Sequence, residues 1–523
     1  MLNTGLLILT NPNRISLLLT FVNKHILKTL YIQYLPEQHL FPPENCTLKL
    51  HKLPYYAETV ANIYKVASQM CYRLDIRILL SRLKDPTFAV INTKNPVEIV
   101  IFDKIINSKT IDIFIQNCIV NVSRECNYLT FAAKKEDETH SNVGQCTSIQ
   151  KMYKSVVLGG TFDRLHNGHK IFLSEAVLYS EEKLTVGITD TNMLTGKLLW
   201  ELIEPCSKRI SKVKEFLEDV DPLVSYDIVP INDMYGPTKK DPTMEMLVVS
   251  EETKRGGDKV NSLRLQKNLN ELVIHEVKLL FDENRKEREE SKISSSNQRM
   301  RLLGTRLGNV INENKTLKPY IIGLVGGIAS GKSSVAEELV KLGAGFVNCD
   351  KIAHELYLPK TKGFEIVVSQ FGRKIVDANG FINRKVLGNI VFNDKKELDK
   401  LNKSMWPIIL EKAKEKIQHL YSEGYNIILM EAAVLIQANW QNECHEIWTC
   451  IIPPEEAIKR IVRRNDLSED EAEKRIKMQP SNVDLIKEAN VVFCTLWDYD
   501  FTKEQVQNAW DELTDYISPY VSY

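Results

Sequence analysis

The chain has 523 residues, room for roughly three domains at about 150 residues each, which excludes a single small binding module. Apolar residues make up 43% of the chain and charged residues 26%, close to the average of soluble globular proteins, so a largely disordered or fibrous protein is excluded. Lys and Arg together total 68, as do Asp and Glu, so the chain lacks the positive charge of a protein that coats nucleic acid. We expect no nucleic-acid partner, and we expect any phosphate binding to be local.

The cysteines and the N-terminal segment bear on the compartment. None of the 10 cysteines forms a C-x-x-C pair, which favours a reducing compartment and no structural zinc. Residues 1–36 contain no Asp or Glu and carry Arg14, Lys24 and Lys28 among apolar residues, a pattern that permits organelle targeting or peripheral membrane association. The alternative is a buried first strand and helix. No apolar run is long enough to predict a membrane-spanning helix.

Strand-like and helix-like segments alternate along the whole chain, which predicts α/β domains with largely parallel sheets. Residues 155–160 are expected to form a buried strand, 169–180 a helix and 184–189 the next strand, together one βαβ unit. The alternation restarts at Tyr320 after a polar stretch. The predicted organisation begins with an N-terminal α/β region at 1–150, of unknown role, with targeting or regulation as options. Two α/β domains follow at 151–303 and 320–523, joined by a linker at 304–319.

A phosphate-binding loop is predicted between a strand and a helix of the last domain. Gly326, Gly331, Lys332 and Ser333 fit G-x-x-x-x-G-K-[ST], where glycines let backbone amides converge on phosphates at the positive end of a helix. Lys332 is expected to neutralise phosphoryl charge, and Ser333, with Glu431 from a strand end, to supply oxygens to Mg²⁺. An ordinary glycine-rich turn is the alternative. The predicted nucleotide-binding residues are Gly326, Gly327, Ile328, Ala329, Ser330, Gly331, Ser333 and Ser334.

Acidic and basic residues further on in this domain suit a phosphate acceptor. Asp350 is expected to end the next strand, on the edge where doubly wound sheets bind ligands, and could take a proton from a hydroxyl. Arg460 and Arg464 precede a charged segment typical of a lid that closes over an anionic substrate. The alternatives are a surface-turn Asp and a solvated helix face.

Two histidines follow the first strand of the middle domain. His166 and His169 are three residues apart and would share a helix face if the helix began there, with Gly168 allowing close backbone approach to a ligand. At a positive helix end they are suited to the α-phosphate and leaving pyrophosphate of a nucleotide, and Thr161 could add a hydroxyl. A metal site is the alternative, but beyond Asp163 no further ligand at suitable spacing supports it.

A serine cluster predicts a second phosphate-holding helix start in the middle domain. The stretch "ISSSNQR" places Ser294, Ser295, Ser296 and Arg299 there, with a plain N-cap as the alternative. Lys197 and Arg209 flank an amphipathic stretch and could bind an anionic acceptor.

These residues carry a clear resemblance to known families. "GGTFDRLHNGHK" together with "ISSSNQR" resembles the T-x-F-D…H-x-G-H and I-S-S-T-x-x-R motifs of the phosphopantetheine adenylyltransferase family. "GLVGGIASGKSSV", "FVNCDKIAHELY", "DANGFINRKVLGNIVF" and "MEAAVL" resemble dephospho-CoA kinase. This order in one chain is that of the animal bifunctional coenzyme A synthases, and the resemblance covers roughly residues 150–520.

The resemblance implies roles for particular residues. His166 and His169 would stabilise adenylyl transfer, Thr161, Lys197 and Arg299 would bind phosphates, and Asp350 would be the base on a ribose 3'-hydroxyl. The first motif also brings Gly159 and Phe162 to the nucleotide, and Arg460, Arg464 and Gln479 match the kinase lid and substrate-binding region. The chain departs from the family patterns at Asn348, Ser296, Trp406, Glu431 and Gln437.

The fold class that follows is α/β and multidomain, a Rossmann-like nucleotidyltransferase domain followed by a P-loop kinase domain. The implied activity is adenylyl transfer from ATP to 4'-phosphopantetheine, then phosphorylation of dephospho-CoA by a second ATP, with Mg²⁺ as cofactor. The family's mitochondrial association implies a cytoplasmic or mitochondrial protein, including the outer membrane surface, and the sequence indicates no particular protein partner. The alternatives are a nucleotide-binding scaffold with one or both sites inactive and an enzyme with the same folds and other acceptors.

Overall fold

The computed structural model describes residues 1–35, 53–71, 73–85, 88, 90–131, 151–308 and 316–519. The chain divides into two compact units, Met1–Gln298 and Arg299–Tyr523. The end of the predicted N-terminal region, 132–150, and the centre of the predicted linker, 309–315, lie outside the described residues. The predicted domain bounds stay a prediction.

The first unit contains two parallel sheets, each of five strands. The N-terminal sheet has the order β3-β2-β1-β4-β5. Its strands are β1 Leu2–Leu9, β2 Ile26–Tyr34, β3 Asp75–Leu79, β4 Val97–Phe102 and β5 Val122–Thr130. Its helices are α1 Ile15–Val22, α2 Leu53–Met70, α3 Ser81–Lys84 and α4 Ser108–Cys118. β1 is almost wholly buried at the centre of this sheet, as expected for a strand with helices on both faces. The buried face of α1 belongs to the same apolar core, so residues 1–34 form two buried strands, β1 and β2, with a half-buried helix between them.

The middle sheet has the order β10-β9-β6-β7-β8 and carries the histidine pair. Its strands are β6 Tyr153–Gly160, β7 Ser180–Thr189, β8 Ser225–Ile231, β9 Met246–Ser250 and β10 Val273–Val277. Its helices are α5 Asn167–Tyr179, α6 Cys206–Val220, α7 Lys254–Gln266 and α8 Ser295–Arg301, the last of which crosses the boundary between the units. The predicted βαβ unit is β6, α5 and β7. One continuous apolar core joins this sheet to the N-terminal sheet and includes Leu7, Ile63, Ala176 and Val186.

The second unit is built on one parallel sheet in the order β12-β13-β11-β14-β15. Its strands are β11 Tyr320–Gly326, β12 Gly345–Asn348, β13 Ile427–Glu431, β14 Glu446–Ile451 and β15 Val491–Cys494. Its helices are α9 Lys332–Lys341, α10 Cys349–Glu355, α11 Lys362–Phe371, α12 Arg384–Asn393, α13 Lys395–Ser422, α14 Pro454–Asn465, α15 Glu469–Lys477, α16 Asn482–Lys487 and α17 Tyr499–Ile517.

These parallel sheets with alternating helices confirm the predicted α/β class. One local prediction was wrong: Asp350 does not end a strand, because β12 stops at Asn348 and the Asn348 side chain caps α10 by accepting a hydrogen bond from the Lys351 amide. Asp350 therefore lies in the first turn of α10. Within the described residues no helix is both long and apolar enough to cross a membrane.

Candidate active sites

The two histidines lie side by side at the start of α5. His166 is the N-cap residue, not part of the helix, and its Nδ1 accepts a hydrogen bond from the His169 amide at 3.3 Å. The two rings stack with centroids 3.8 Å apart. The pair therefore meets through a cap, and not through the helical spacing that the sequence suggested.

Both histidine rings are held neutral. Burial lowers the pKa of His169 to about 3, with Lys197 adding to the effect, and burial beside His169 and Lys170 lowers the pKa of His166 well below its usual value. Because Nδ1 of His166 accepts a hydrogen bond, its neutral ring carries the proton on Nε2, and that buried atom has no partner among the described residues. The site thus presents an unused N–H donor.

The turn between β6 and α5 is shaped around Phe162. This residue adopts a left-handed φ of 50°, is buried, and brings its ring 5.2 Å from the His169 ring. A Cβ on Gly160 would lie 2.8 Å from the Phe162 ring, so glycine is required there. A Cβ on Gly168 would lie 3.2 Å from the His166 ring, which gives Gly168 a packing role in this turn. Gly159, the predicted binding residue, faces only ordinary contacts.

Arg209 lies directly beneath this turn. Its guanidinium is fully buried and donates to the carbonyl oxygen of Thr161 at 2.7 Å and to that of Glu204 at 2.8 Å, while Nη2 has no partner in the described structure. The Thr161 hydroxyl accepts a hydrogen bond from the Thr189 hydroxyl at 3.0 Å. Lys197 is exposed and close enough to depress the pKa of His169. These three predicted residues therefore surround the histidine turn.

The serine cluster begins α8, as predicted, next to the same turn. Ser294 accepts a hydrogen bond from the Asn297 amide at 3.1 Å, and Ser295 donates to the backbone carbonyl of Asp163 at 2.8 Å. The Asp163 carboxylate is fully buried and accepts from the Glu204 amide at 2.9 Å. Ser296 and Arg299 follow on the same helix, and Arg299 is buried.

The phosphate loop of the second unit is closely packed. A Cβ on Gly326 would lie 2.5 Å from the Cys450 carbonyl oxygen, and one on Gly331, whose φ is 82°, would lie 2.6 Å from the Thr495 methyl group. Both positions therefore require glycine. Lys332 begins α9 and donates to the carbonyl oxygens of Gly326 and Gly327 at 2.8 and 3.1 Å. The loop is thus folded around the lysine that is predicted to meet phosphate.

Several carboxyl and amide groups lie at the ends of neighbouring strands. Glu431 and Asn348 are register partners on β13 and β12, and Asn348 donates its amide hydrogen to the Glu431 carboxylate at 2.9 Å. Burial raises the pKa of Glu431, Lys332 opposes that shift, and Asp350 adds to it. Asp350 is exposed, and its Oδ1 accepts from the Ala433 amide at 3.5 Å. Lys332, Glu431 and Asp350 thus share one electrostatic environment.

The residues proposed for the lid divide into two groups. Arg460 donates to the Thr495 hydroxyl at 2.9 Å and to the Thr495 carbonyl oxygen at 2.6 Å, which ties α14 to the loop. The Gln479 side-chain oxygen accepts the Ile328 amide of the loop at 2.7 Å. Arg464 is exposed on α14, and its hydrogen bond among the described residues is a local one to Asn465 at 3.3 Å, so it does not contact the described loop.

Three positions that support these sites were not predicted from the sequence. Gly160, Asp163 as a backbone anchor, and Thr495, whose hydroxyl donates to the Ser330 carbonyl oxygen at 3.0 Å, hold the two loops in place. Gly160 had a sequence signal, the glycine pair that ends β6. Thr495 had none, because it is 165 residues away from its partner in the chain.

The second site has hard oxygen donors that fit Mg²⁺. The Ser333 hydroxyl is exposed at the start of α9, and the buried Glu431 carboxylate has a raised pKa that a nearby cation would relieve. Among the described residues, no three His, Cys, Asp or Glu side chains are grouped so as to hold a metal ion by themselves. Substrate phosphate oxygens would therefore complete such a site.

Two parts of the chain match known protein families. A family model described as dephospho-CoA kinase matches residues 320–495, and one described as cytidylyltransferase-like matches residues 157–301. A dephospho-CoA kinase of Carboxydothermus hydrogenoformans is 37% identical over 186 residues, which are 36% of this chain and 90% of that protein. One of Staphylococcus saprophyticus is 40% identical over 164 residues, which are 31% of this chain and 79% of that protein.

A solved structure of dephospho-CoA kinase from Campylobacter jejuni is 26% identical and covers 37% of this chain and 97% of its own, with a TM-score of 0.30. The chain belongs to the dephospho-CoA kinase family, and because a cytidylyltransferase-like domain precedes that kinase, its domain content matches that of a bifunctional coenzyme A synthase.

Proposed function

We propose that this protein makes coenzyme A from 4'-phosphopantetheine in two ATP-dependent steps. The first joins the adenylyl group of ATP to 4'-phosphopantetheine and releases pyrophosphate. The second phosphorylates the ribose 3'-hydroxyl of the resulting dephospho-CoA. The observation that carries the proposal is the neutral, stacked histidine pair ahead of a kinase of the dephospho-CoA family, because the first site would make what the second consumes.

In the first step a phosphate oxygen of 4'-phosphopantetheine attacks the α-phosphate of ATP, and the bond to pyrophosphate breaks. The site must hold two anions together and spread the charge of the transition state. His166 offers its unpartnered Nε2–H, and Arg209 offers its unpartnered Nη2 beneath Thr161. Neutral imidazoles donate hydrogen bonds without requiring a proton to leave, which suits a reaction with no net proton transfer at the phosphate.

In the second step the 3'-hydroxyl attacks the γ-phosphate of a second ATP and ADP leaves. Asp350, exposed in the first turn of α10, would accept the hydroxyl proton, and Lys332 with the loop amides would hold the phosphates. Mg²⁺, when bound with Ser333 and Glu431, supplies charge neutralisation on the phosphate oxygens. Arg460 fixes α14 against the loop, and Gln479 must release the Ile328 amide if that amide is to bind phosphate.

The acid-free N-terminal segment also motivates a proposed location in the cytoplasm or at the mitochondrion, including its outer surface. Residues 1–34 of this segment form β1, α1 and β2, so any membrane contact would use the outer faces of the folded unit. The test compares a reporter protein fused to residues 1–36 with the same reporter alone, by fractionating cells that express one or the other. If both reporters divide equally between the cytosolic and mitochondrial fractions, the proposal is contradicted.

The proposed activities are tested by incubating the full chain with 4'-phosphopantetheine, Mg²⁺ and either ATP or CTP, with mass spectrometry over time. We expect dephospho-CoA to appear first and CoA to follow with ATP, and little product with CTP. Product with CTP alone would overturn the choice of nucleotide. Binding of ATP with no product from either 4'-phosphopantetheine or dephospho-CoA would support the scaffold alternative.

A further inference from the structure

The N-terminal sheet has the topology of a ligand-binding fold, but its own binding edge is already filled. The strand order reverses between the parallel strands β1 and β4, and doubly wound sheets bind ligands at such a point. There the Asp103 carboxylate, almost fully buried, accepts the Thr10 and Asn11 amides at 2.6 and 3.0 Å and the Thr10 hydroxyl. These donors are therefore used internally, and the role of this sheet must be sought elsewhere.

The side of the N-terminal sheet that faces α5, the helix that the histidine pair begins, contacts another part of the chain. Helix α2 packs along α5, and Asn167, the first residue of α5, donates to the Ser68 hydroxyl of α2 at 2.8 Å. Lys170 is 4% exposed, and its ammonium donates to the Asp75 carboxylate at 2.5 Å and to the Ile76 carbonyl oxygen at 2.9 Å, both on β3. The residues before and after His169 on this turn, Asn167 and Lys170, are therefore held by α2 and by β3.

The rest of this interface is also built from buried charge. Arg77 of β3 pairs with the fully buried Asp219 of α6 at 2.5 Å, and Asp219 also accepts the Tyr31 hydroxyl at 2.8 Å. Lys84 pairs with the fully buried Asp221 at 2.9 Å. Such pairs fix geometry, because breaking one leaves an uncompensated buried charge. The N-terminal sheet is thus held in one orientation against the helices of the middle sheet.

We infer that Asp75 and Ser68 are positioning residues for adenylyl transfer and that the N-terminal sheet acts as the support of the histidine helix. This inference rests on the proposed function of the first site. Further along α5, the Glu175 carboxylate forms a hydrogen bond with His275 of β10 at 2.8 Å. The first turn of α5 therefore takes its direction from the N-terminal sheet. A small rotation of that turn would displace both imidazoles from the reacting phosphate.

The test is the Asp75→Asn variant of the full chain. Asp112→Asn is the control, because Asp112 is an exposed Asp on α4, a helix of the same N-terminal region. First-step kinetics are followed by pyrophosphate release, and second-step kinetics with dephospho-CoA. We expect Asp75→Asn to lower kcat and kcat/KM of the first step together, about 10- to 100-fold, because misplaced catalytic groups lose transition-state binding. The second step and the control variant should be unchanged.

Two further variants separate positioning from loss of folding. Ser68→Ala removes one partly buried hydroxyl and should lower first-step kcat by a smaller factor with an unchanged thermal transition. The Asp75 carboxylate also accepts a hydrogen bond from Arg77 Nε at 2.8 Å, so Asp75→Asn weakens two contacts. Lys170→Met combined with Asp75→Asn should therefore cost little more than Asp75→Asn alone, because the single change already weakens the Lys170 contact. Asp75→Glu should restore most of the activity.

Full first-step kcat in both Asp75→Asn and Ser68→Ala would overturn the inference, as would a loss confined to thermal stability. The proposed function fails separately, if the unchanged protein releases no pyrophosphate from ATP and 4'-phosphopantetheine.

Discussion

Replacing Lys332 by Met should remove the second activity through two coupled effects. Lys332 is the cation of the phosphate loop, and its ammonium also holds the loop by donating to the Gly326 and Gly327 carbonyl oxygens. Loss of one donor to the transition state costs about 10²- to 10³-fold in kcat, equal to about 2.7–4 kcal/mol. Because the loop also loses two hydrogen bonds, KM for ATP should rise as well.

The second effect of Lys332→Met acts through Glu431. Burial raises the pKa of this carboxylate and Lys332 opposes the rise, so removing the lysine should raise that pKa further. Glu431 must be ionised to bind a cation, so activity falls as pH drops through its pKa. The acid limb of the second-step pH profile should therefore move to higher pH in the variant, with the residual rate recovering as pH increases.

The assay is conversion of dephospho-CoA to CoA between acid and mildly alkaline pH, at several ATP concentrations. Lys341→Met is the matched control, because Lys341 lies at the other end of α9, is 65% exposed and pairs with Glu338 of the same helix, not with the phosphate loop. The control should behave like the unchanged protein. An unchanged rate of conversion in Lys332→Met would refute the assignment of the loop, and an unmoved acid limb would refute its coupling to Glu431.

Three other changes give separable outcomes. His169→Ala should lower adenylyl transfer by about 10²- to 10³-fold and leave the kinase step near normal, measured by pyrophosphate release and by CoA formation on one sample. Gly331→Ala should destabilise the second unit by about 1–3 kcal/mol, because its Cβ would meet the Thr495 methyl group at 2.6 Å, and thermal unfolding should show this. Asn348→Asp keeps a capping oxygen for α10 but replaces the donor to Glu431 by a second carboxylate, so the acid limb of the kinase profile should move to higher pH.

The controls for these changes lie in the same chain. Gly380→Ala places a side chain at a similar φ of 83° with open space around its Cβ, so it should cost less stability than Gly331→Ala. Equal loss of both activities in a folded His169→Ala protein would contradict two independent sites. Asn348→Asp with an unmoved pH profile would show that Glu431 does not control the acid limb.

Much of the fold was readable because the strands of parallel sheets are buried on both faces and appear as short apolar runs. The phosphate loop was predictable because its glycines, lysine and serine lie within eight residues of one another, between such an apolar run and a helix. Local competition set the limit. Asn348 captures the Lys351 amide and starts α10 early, which moves Asp350 from a strand end into a helix, and His166 caps α5 instead of extending it.

What the sequence could not provide are contacts between distant segments. Lys170 meets Asp75 across 95 residues, and Asn167 meets Ser68 across 99. Ser68 and Asp75 belong to no pattern that sets them apart from ordinary surface residues, and the motif that contains Asn167 and Lys170 does not indicate these partners. The supporting role that we propose for the N-terminal sheet therefore rests on the packing of α2 and β3 against α5.

The most direct test of the central claim mixes two proteins that each lack one site, His169→Ala and Lys332→Met, with 4'-phosphopantetheine, ATP and Mg²⁺. Each variant alone should form little CoA, the Lys332→Met protein accumulating dephospho-CoA, and the mixture should form CoA after a lag as that intermediate passes from one protein to the other. If the mixture forms no CoA although the His169→Ala protein converts added dephospho-CoA, the two sites do not act in sequence through dephospho-CoA, and the account is contradicted.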